Sequence, residues 1–141
     1  MAEKIAVIDY GMGNLRSVSK AVEHVAGDAE VRVTDDPGFI AAADRVVFPG
    51  QGAARDCMAA ISEHHLNRAI LQAAETKPFL GICMGLQVLM SYSYENEGTE
   101  LLGLFDGRVK RFDGLAMGDN GLPLKIPHMG WSPVHQVMAH P

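Results

Sequence analysis

The chain has 141 residues, 48% of them hydrophobic and 21% charged, and its 12 basic and 17 acidic side chains give a net charge of -5. This length and composition are typical of one globular domain with its own core. The acidic balance, without a lysine- or arginine-rich block, argues against nucleic-acid binding, and no apolar run is long enough to span a membrane.

Two features of the sequence bear on its compartment. The two cysteines, Cys57 and Cys83, make no disulfide framework and indicate a reducing environment. The stretch Met1-Ala2-Glu3-Lys4 is too short and too charged before the first apolar run to be a signal peptide. We therefore expect a soluble, cytoplasmic protein.

The first third of the chain alternates strand and helix patterns. Apolar runs at residues 5–8, 30–34 and 44–48 predict strands. The turn-forming stretch Asp9-Tyr10-Gly11-Met12-Gly13-Asn14 follows the first run, and Asn14 is predicted to cap a helix that closes at Gly27-Asp28. The pair Gly11-x-Gly13 suggests a dinucleotide loop, but Arg16 occupies the place of the third glycine and argues against that function.

The third strand runs into the loop Pro49-Gly50-Gln51-Gly52-Ala53 at the carboxyl end of the predicted sheet. Ligands of open α/β sheets bind at that end. A loop with two glycines can bring a backbone N–H against a substrate oxygen. A plain tight turn explains the same residues equally well.

Two helical segments follow at residues 55–61 and 66–75, with a break at residues 62–65. Cys57 lies in the first segment without a base or a glycine turn beside it, which favours core packing over chemistry. His64 and His65 are adjacent and do not share a helix face, which argues against a metal site.

The stretch Gly81-Ile82-Cys83-Met84-Gly85 has the G-x-C-x-G pattern of a nucleophile elbow, between an apolar run and a helical pattern that extends to Met90. In such a turn the central residue has a strained backbone, and small neighbours let strand and helix pass closely. The turn would place the Cys83 sulfur at a helix N-terminus, where the Met84 amide can stabilise an oxyanion. The alternative is a buried, inert cysteine between two packing glycines.

Beyond the elbow the pattern changes. Residues 92–99 are polar and turn-rich, residues 107–112 alternate like a half-exposed strand, residues 113–123 predict a loop, and residues 133–137 predict a further strand. The order of elements predicts an α/β fold: a doubly wound, mostly parallel sheet with helices on both faces and an antiparallel flank.

Four blocks resemble the class I glutamine amidotransferases, and most closely the glutaminase subunits of imidazole glycerol phosphate synthases, which serve histidine biosynthesis. The third block is shared by the whole superfamily, and the first and last are close to specific for these subunits. The blocks span almost the whole chain: Asp9-Tyr10-Gly11-Met12-Gly13-Asn14-Leu15, Pro49-Gly50-Gln51-Gly52-Ala53, Gly81-Ile82-Cys83-Met84-Gly85-Leu86-Gln87 and Pro127-His128-Met129-Gly130-Trp131.

The resemblance implies that Cys83 attacks the side-chain amide of glutamine and forms a thioester. It implies an oxyanion hole made by the strand Gly50-Gln51-Gly52 and the Met84 amide, with Gln87 helping to hold the glutamine. No cofactor and no metal are implied.

The resemblance also implies a partner. Ammonia would pass to a cyclase, a phosphate-binding barrel that forms a heterodimer with the glutaminase, and Asn14 and Trp131 would sit towards it. Without the resemblance, core packing would be the default role of Trp131, a large residue after a glycine.

One departure from the family pattern concerns the catalytic base. A cysteine nucleophile needs a base that accepts the thiol proton and later returns a proton to the leaving group. In the family, this base and its orienting carboxylate lie in a late His-Pro-Glu motif. Here His140-Pro141 ends the sequence without a glutamate, and neither His128 nor His135 falls in that motif. We therefore expect one amidotransferase domain over residues 1–141, incomplete at its C-terminus and inactive alone.

Two other hypotheses stay open. One is another elbow-cysteine hydrolase or chaperone of the same architecture, which would bring an acidic residue to the cysteine from an early strand and would not need Gln87. The other is a non-catalytic binding subunit that keeps the fold and only contacts a partner.

Overall fold

In a computed structural model of the chain, residues 2–112, 117–118, 121–127 and 130–139 are described. They fall in two units, Met1–Lys110 and Arg111–Pro141. Among the described residues, no helix has the length and apolar character needed to cross a membrane.

The main sheet of the first unit has four parallel strands. They are β1 (Lys4–Ile8), β2 (Glu30–Thr34), β3 (Arg45–Gly50) and β4 (Phe79–Cys83), in the spatial order β2-β1-β3-β4. The four strands predicted from apolar runs are therefore confirmed. Because the strands are parallel, all their carboxyl ends lie at one edge of the sheet, where ligands of such sheets bind.

Helices cover both faces of this sheet, as predicted. They are α1 (Leu15–Val25), α2 (Pro37–Ala42), α3 (Ala54–Glu63), α4 (Asn67–Thr76) and the short α5 (Met84–Gln87). The apolar stripe of α1, which includes Val18 and Val22, packs against Val7 on one face. On the other face, residues of α2, α3, α4 and α5 share one core with β1 and β3.

Local sequence accounts for where the helices begin and end. The side chain of Asn14 accepts a hydrogen bond from the Ser17 amide at 3.2 Å, which confirms its predicted capping role. The predicted break after α3 is also confirmed, and His65 there has a left-handed φ of 57°. The helix after Cys83 was predicted to extend to Met90 but ends at Gln87, where the chain turns towards a second sheet.

The second sheet consists of β5 (Tyr92–Ser93), β6 (Thr99–Glu100) and β7 (Arg108–Val109), in the order β6-β5-β7. It corrects the predicted antiparallel flank, because β5 is antiparallel to β6 but parallel to β7. Residues 92–99, predicted as turns, also contain a 3-10 turn at Glu95–Glu97. The alternating pattern predicted a strand over residues 107–112, but β7 covers only Arg108–Val109. The extent of such a short strand depends on contacts with distant parts of the chain, which a local pattern does not contain.

The unit Arg111–Pro141 contains one β-bridge among its described residues, between Met117 and Pro123. The strand predicted at residues 133–137 is wrong, because no described segment pairs with these residues and Val134 and Val137 are exposed. Alternation of apolar residues predicts a strand only where a neighbouring strand can accept its backbone hydrogen bonds. The loop predicted at residues 113–123 lies partly outside the described residues.

Candidate active site

Cys83 lies at the end of β4, immediately before α5. Its backbone angles are φ 55° and ψ -117°, and its side chain is exposed. Residues other than glycine rarely adopt a positive φ, which costs about 1–3 kcal/mol and is typical of functional turns. The strained elbow is therefore confirmed, and the alternative of a buried, inert cysteine at this position is wrong.

The glycines on either side let α5 fold back tightly on the sheet. A Cβ atom on Gly85 would overlap the carbonyl group of Phe48, and one on Gly81 would lie 2.9 Å from the Gly85 carbonyl oxygen. Real Cβ atoms do not tolerate such distances, so both positions require glycine for the close approach. The pattern around Cys83 is thus a steric requirement of this turn.

Gly50 is directly opposite Cys83 in the parallel pairing of β3 with β4. This placement corrects the prediction that the loop begins at Pro49, because Pro49 and Gly50 are buried residues of β3. Gln51 and Gly52, which leave the sheet after β3, are exposed, and Gly52 has a φ of 91°. The predicted oxyanion residues therefore begin opposite Cys83 in the sheet and continue into an exposed loop.

The turn after β1 lies beside this loop. A Cβ on Gly13 would be 3.7 Å from the Gly50 backbone, and one on Gly52 would be 3.0 Å from the Met12 Cε atom. In the order β2-β1-β3-β4, β2 lies on one side of β1 and β3 lies on the other, so the direction of strand succession reverses at β1. Crevices in open α/β sheets form at such a reversal. Strand order and the elbow thus indicate the same edge of the sheet.

Two consecutive hydrogen bonds connect the buried core to the loop after β3. The Tyr10 hydroxyl donates to the Cys57 sulfur at 3.8 Å, and the Cys57 thiol donates to the Gln51 carbonyl oxygen at 3.3 Å. Tyr10 and Cys57 are both fully buried. Burial raises the pKa of the Cys57 thiol and also that of Tyr10, so both groups remain protonated and able to donate. The prediction that Cys57 packs in the core is confirmed.

The two predicted partners of Cys83 in α5 occupy different environments. Met84 is the first residue of α5, where backbone amides have no acceptor inside the helix, and its side chain is buried. Gln87 lies one helical turn after Cys83 and is half-buried. The position of the Met84 amide suits an oxyanion donor, whereas the role of Gln87 in binding glutamine stays a prediction.

The predicted partner-facing residues are both exposed. Asn14 caps α1 at the carboxyl edge of the sheet, and Trp131 is fully exposed in its own unit. Core packing, the default role for Trp131 from its size, is therefore wrong. The contact of either residue with a partner stays a prediction.

No described histidine is hydrogen-bonded to Cys83. The Nδ1 atom of His64 lies 3.7 Å from a carboxylate oxygen of Asp35, and His135 belongs to the second unit. The other histidines weighed as bases, His128 and His140, lie outside the described residues. Within the described part of the chain, no group of three or more His, Cys, Asp or Glu residues could hold a metal ion.

Sequence reasoning missed two residues that shape this edge. Tyr10 was assigned only to a turn, and Glu95 only to a polar stretch, yet the Glu95 carboxylate accepts a hydrogen bond from the Ala54 amide at 2.8 Å and caps α3. An aromatic residue amid turn formers was a weak signal for Tyr10. For Glu95 no local signal existed, because its partner is 41 residues away.

The arrangement can perform nucleophilic chemistry on a carbonyl group. An exposed cysteine occupies a strained turn, the first amide of α5 follows it, and an exposed loop begins after the β3 residue that pairs with it. Such amides stabilise the oxyanion that forms when a thiolate attacks an amide carbonyl.

The chain is similar in sequence to several curated proteins, all subunits of one enzyme. The subunit HisH of imidazole glycerol phosphate synthase from Thiobacillus denitrificans is 61% identical, over 100% of this chain and 62% of that protein. The same subunit from Methylococcus capsulatus is 58% identical over 93% of this chain and 60% of that protein, and the one from Nitrosococcus oceani is 56% identical over 97% and 63%. This chain thus spans about three fifths of the length of these curated relatives.

The family described as glutamine amidotransferase class-I matches residues 6–136. The match includes the elbow, the loop after β3 and the turn after β1. With nearly the whole sequence and these three features in agreement, the chain belongs to the class-I glutamine amidotransferase family.

Proposed function

We propose that this chain carries the nucleophile of the glutaminase subunit of an imidazole glycerol phosphate synthase. Cys83 attacks the side-chain amide of glutamine, the C–N bond breaks, and ammonia leaves a glutamyl thioester that water hydrolyses to glutamate. The observation that carries the proposal is the exposed Cys83 thiol at φ 55°, level with Gly50 at the carboxyl edge of the sheet. The three relatives, each a subunit of that synthase by name, support the choice of reaction.

The oxyanion of the attacked amide is proposed to accept hydrogen bonds from the Met84 amide and from the loop formed by Gly50, Gln51 and Gly52. Gln87, one turn after the nucleophile, contacts the bound glutamine. These roles follow from the family resemblance and agree with the adjacency of β3 and β4.

The ammonia is proposed to pass to a cyclase subunit in a cytoplasmic heterodimer that acts in histidine biosynthesis as a lyase. Asn14 and Trp131 are the proposed contacts. The full exposure of Trp131 supports this role, because exposed aromatic residues are frequent hot spots of interfaces.

We also propose that residues 1–141 belong to one glutamine amidotransferase domain. Among the described residues, no histidine bonds to Cys83, and a positioned acid–base group contributes about 10²–10⁴-fold to rate. Formation of the thioester, in which the leaving ammonia must gain a proton, and its hydrolysis should therefore both be slow in the 141-residue chain taken by itself.

The test combines intact-mass spectrometry with an assay of glutamate release, with and without the cyclase. We expect a glutamyl adduct on the 141-residue chain, absent in Cys83→Ala, and glutamate release below ordinary enzymatic rates. Absence of both the adduct and Cys83-dependent glutamate release in the wild-type chain, with and without cyclase, would reject the proposed reaction. Fast turnover that depends on Cys83 would instead show that a histidine within these residues serves as base.

A second candidate is a non-catalytic binding subunit, which the lack of a histidine bonded to Cys83 among the described residues favours. It predicts cyclase binding without adduct or glutamate. The third hypothesis, an elbow-cysteine hydrolase or chaperone, expects an acidic residue at the cysteine from an early strand. Instead, the carboxylate of Asp9 after β1 accepts the Gly11 amide at 2.9 Å, which argues against it.

A further inference from the structure

Two consecutive hydrogen bonds, from Tyr10 to Cys57 and from Cys57 to Gln51, reach the proposed oxyanion loop from the buried core. The three residues belong to different parts of the fold: Tyr10 follows β1, Cys57 lies in α3, and Gln51 follows β3. We propose that Cys57 is a positioning residue for the oxyanion loop, whose thiol holds the Gln51 carbonyl and so sets the direction of the Gly52 N–H. The inference rests on the proposed glutaminase function and deepens it.

The geometry of the peptide group links the thiol to the loop. In a trans peptide the C=O of one residue and the N–H of the next point in opposite directions. The Gln51 carbonyl is held at 3.3 Å by the Cys57 sulfur, so the Gly52 N–H is directed to the opposite side of the loop. Gly52, which has a φ of 91°, gives the loop after β3 conformational freedom, so a fixed contact at Gln51 has a large effect on its population of orientations.

The support below the thiol is rigid. The ring of Tyr10 packs against Phe48 with centroids 5.3 Å apart, and its hydroxyl lies against Gly50, where a Cβ atom would overlap it. Because the hydroxyl donates to the Cys57 sulfur, the single thiol proton remains available for the Gln51 carbonyl. The support thus connects a fully buried pair to a loop that is itself exposed.

Two substitutions separate positioning from packing. Cys57→Ser keeps a group that accepts from Tyr10 and donates to Gln51, whereas Cys57→Ala removes it. If Cys57 only filled the core, alanine would be tolerated better than a buried hydroxyl. If it positions the loop, serine must preserve loop geometry and reactivity better than alanine.

The first readout uses no substrate. In ¹⁵N–¹H spectra of the 141-residue chain, the Gly52 amide resonance should move in Cys57→Ala and return towards its wild-type position in Cys57→Ser. Gly27, remote from the site in sequence and with no atom within 4 Å of a Cβ placed on it, serves as the reference amide.

The second readout is alkylation of Cys83. The probe is the chloroketone analogue of glutamine, whose ketone takes the place of the amide carbonyl and whose chloride is displaced by the Cys83 sulfur. We expect Cys57→Ala to lower its labelling rate about tenfold, the effect of one lost positioned hydrogen bond, and Cys57→Ser to stay within about twofold. Labelling by iodoacetamide, which needs no oxyanion hole, should be unchanged in both.

Tyr10→Phe, which loses only the hydroxyl, is the second variant if Cys57→Ala does not fold, with an expected loss of about threefold. The inference is overturned if the Gly52 resonance and the chloroketone rate do not change in the folded variant, or if alanine preserves both better than serine. The proposed function fails separately. In that case the chloroketone labels wild-type Cys83 no more selectively than iodoacetamide, whatever the Gly52 resonance does.

Discussion

The surroundings of the two cysteines differ in almost every physical respect. Cys83 is exposed, has a positive φ, and occupies a turn whose glycines prevent steric overlap. Cys57 is buried in regular helix, and hydrogen bonds link its sulfur to Tyr10 and Gln51. The elbow stores strain to present a nucleophile, whereas the first turns of α3 use relaxed, satisfied contacts to hold the loop beside it.

This difference shows how one domain can keep a reactive group and a stable scaffold in elements that share one core. Burial in the single core that β3, α3 and α5 share offsets the free-energy cost of the strained turn. Substitutions in the two regions should therefore destabilise the fold for different reasons. At the elbow the reason is steric overlap, and at the start of α3 it is the loss of polar contacts.

The largest effect is expected at the elbow. Gly85→Ala places a Cβ against the Phe48 carbonyl, so it should lower the free energy of unfolding in urea by about 3 kcal/mol. Gly27→Ala is the matched control, since Gly27 has a φ of 61° but no atom within 4 Å of a Cβ, and should lose about 1 kcal/mol from backbone strain alone. Equal losses in the two variants would mean that steric conflict does not define the elbow.

A smaller effect is expected at the start of α3. Glu95→Ala removes the carboxylate that caps the Ala54 amide, which should cost about 1 kcal/mol of stability in the same assay. Glu97→Ala is the control from the same 3-10 turn, because the Glu97 side chain makes no hydrogen bond within the described part of the chain. If Glu97→Ala costs as much as Glu95→Ala, charge on the turn matters and the cap does not.

The last prediction concerns the pH dependence of stability. Burial raises the pKa of the Cys57 thiol, so the folded chain keeps its proton while the unfolded thiol ionises near its usual pKa of about 8.5. Above that pH the unfolded state binds fewer protons, and the free energy of unfolding falls with pH by at most about 1.4 kcal/mol per unit.

Urea titrations between about pH 7.5 and 9.5 should show this fall in the wild type and a shallower one in Cys57→Ser, whose hydroxyl does not titrate there. Both chains retain Cys83, so the difference belongs to residue 57. Parallel curves for the two chains would contradict the buried, protonated thiol.

The parallel sheet and the elbow could be predicted from the sequence because their signals are local. Apolar runs predicted all four strands, Asn14 predicted its cap, and G-x-C-x-G predicted a strained backbone at Cys83, where φ is 55°. These features depend on neighbours along the chain, where sequence patterns carry the most information.

The remaining features depend on distant contacts. The β5–β7 pairing, the Glu95 cap and the bond from Tyr10 to Cys57 join residues far apart in sequence, the last pair by 47 positions. The false strand at residues 133–137 has the complementary cause, since a local pattern without a pairing partner does not make a strand.

The central claim is that Cys83 is the nucleophile and Cys57 is not, and competitive labelling tests it most directly. The chain would be treated with a limiting amount of the glutamine chloroketone, digested, and mapped by mass spectrometry, with excess glutamine as competitor. We predict modification of Cys83 that glutamine suppresses, with Cys57 unlabelled until the chain is unfolded. Preferential labelling of Cys57 in the folded chain, or labelling of Cys83 that glutamine does not affect, would contradict the account.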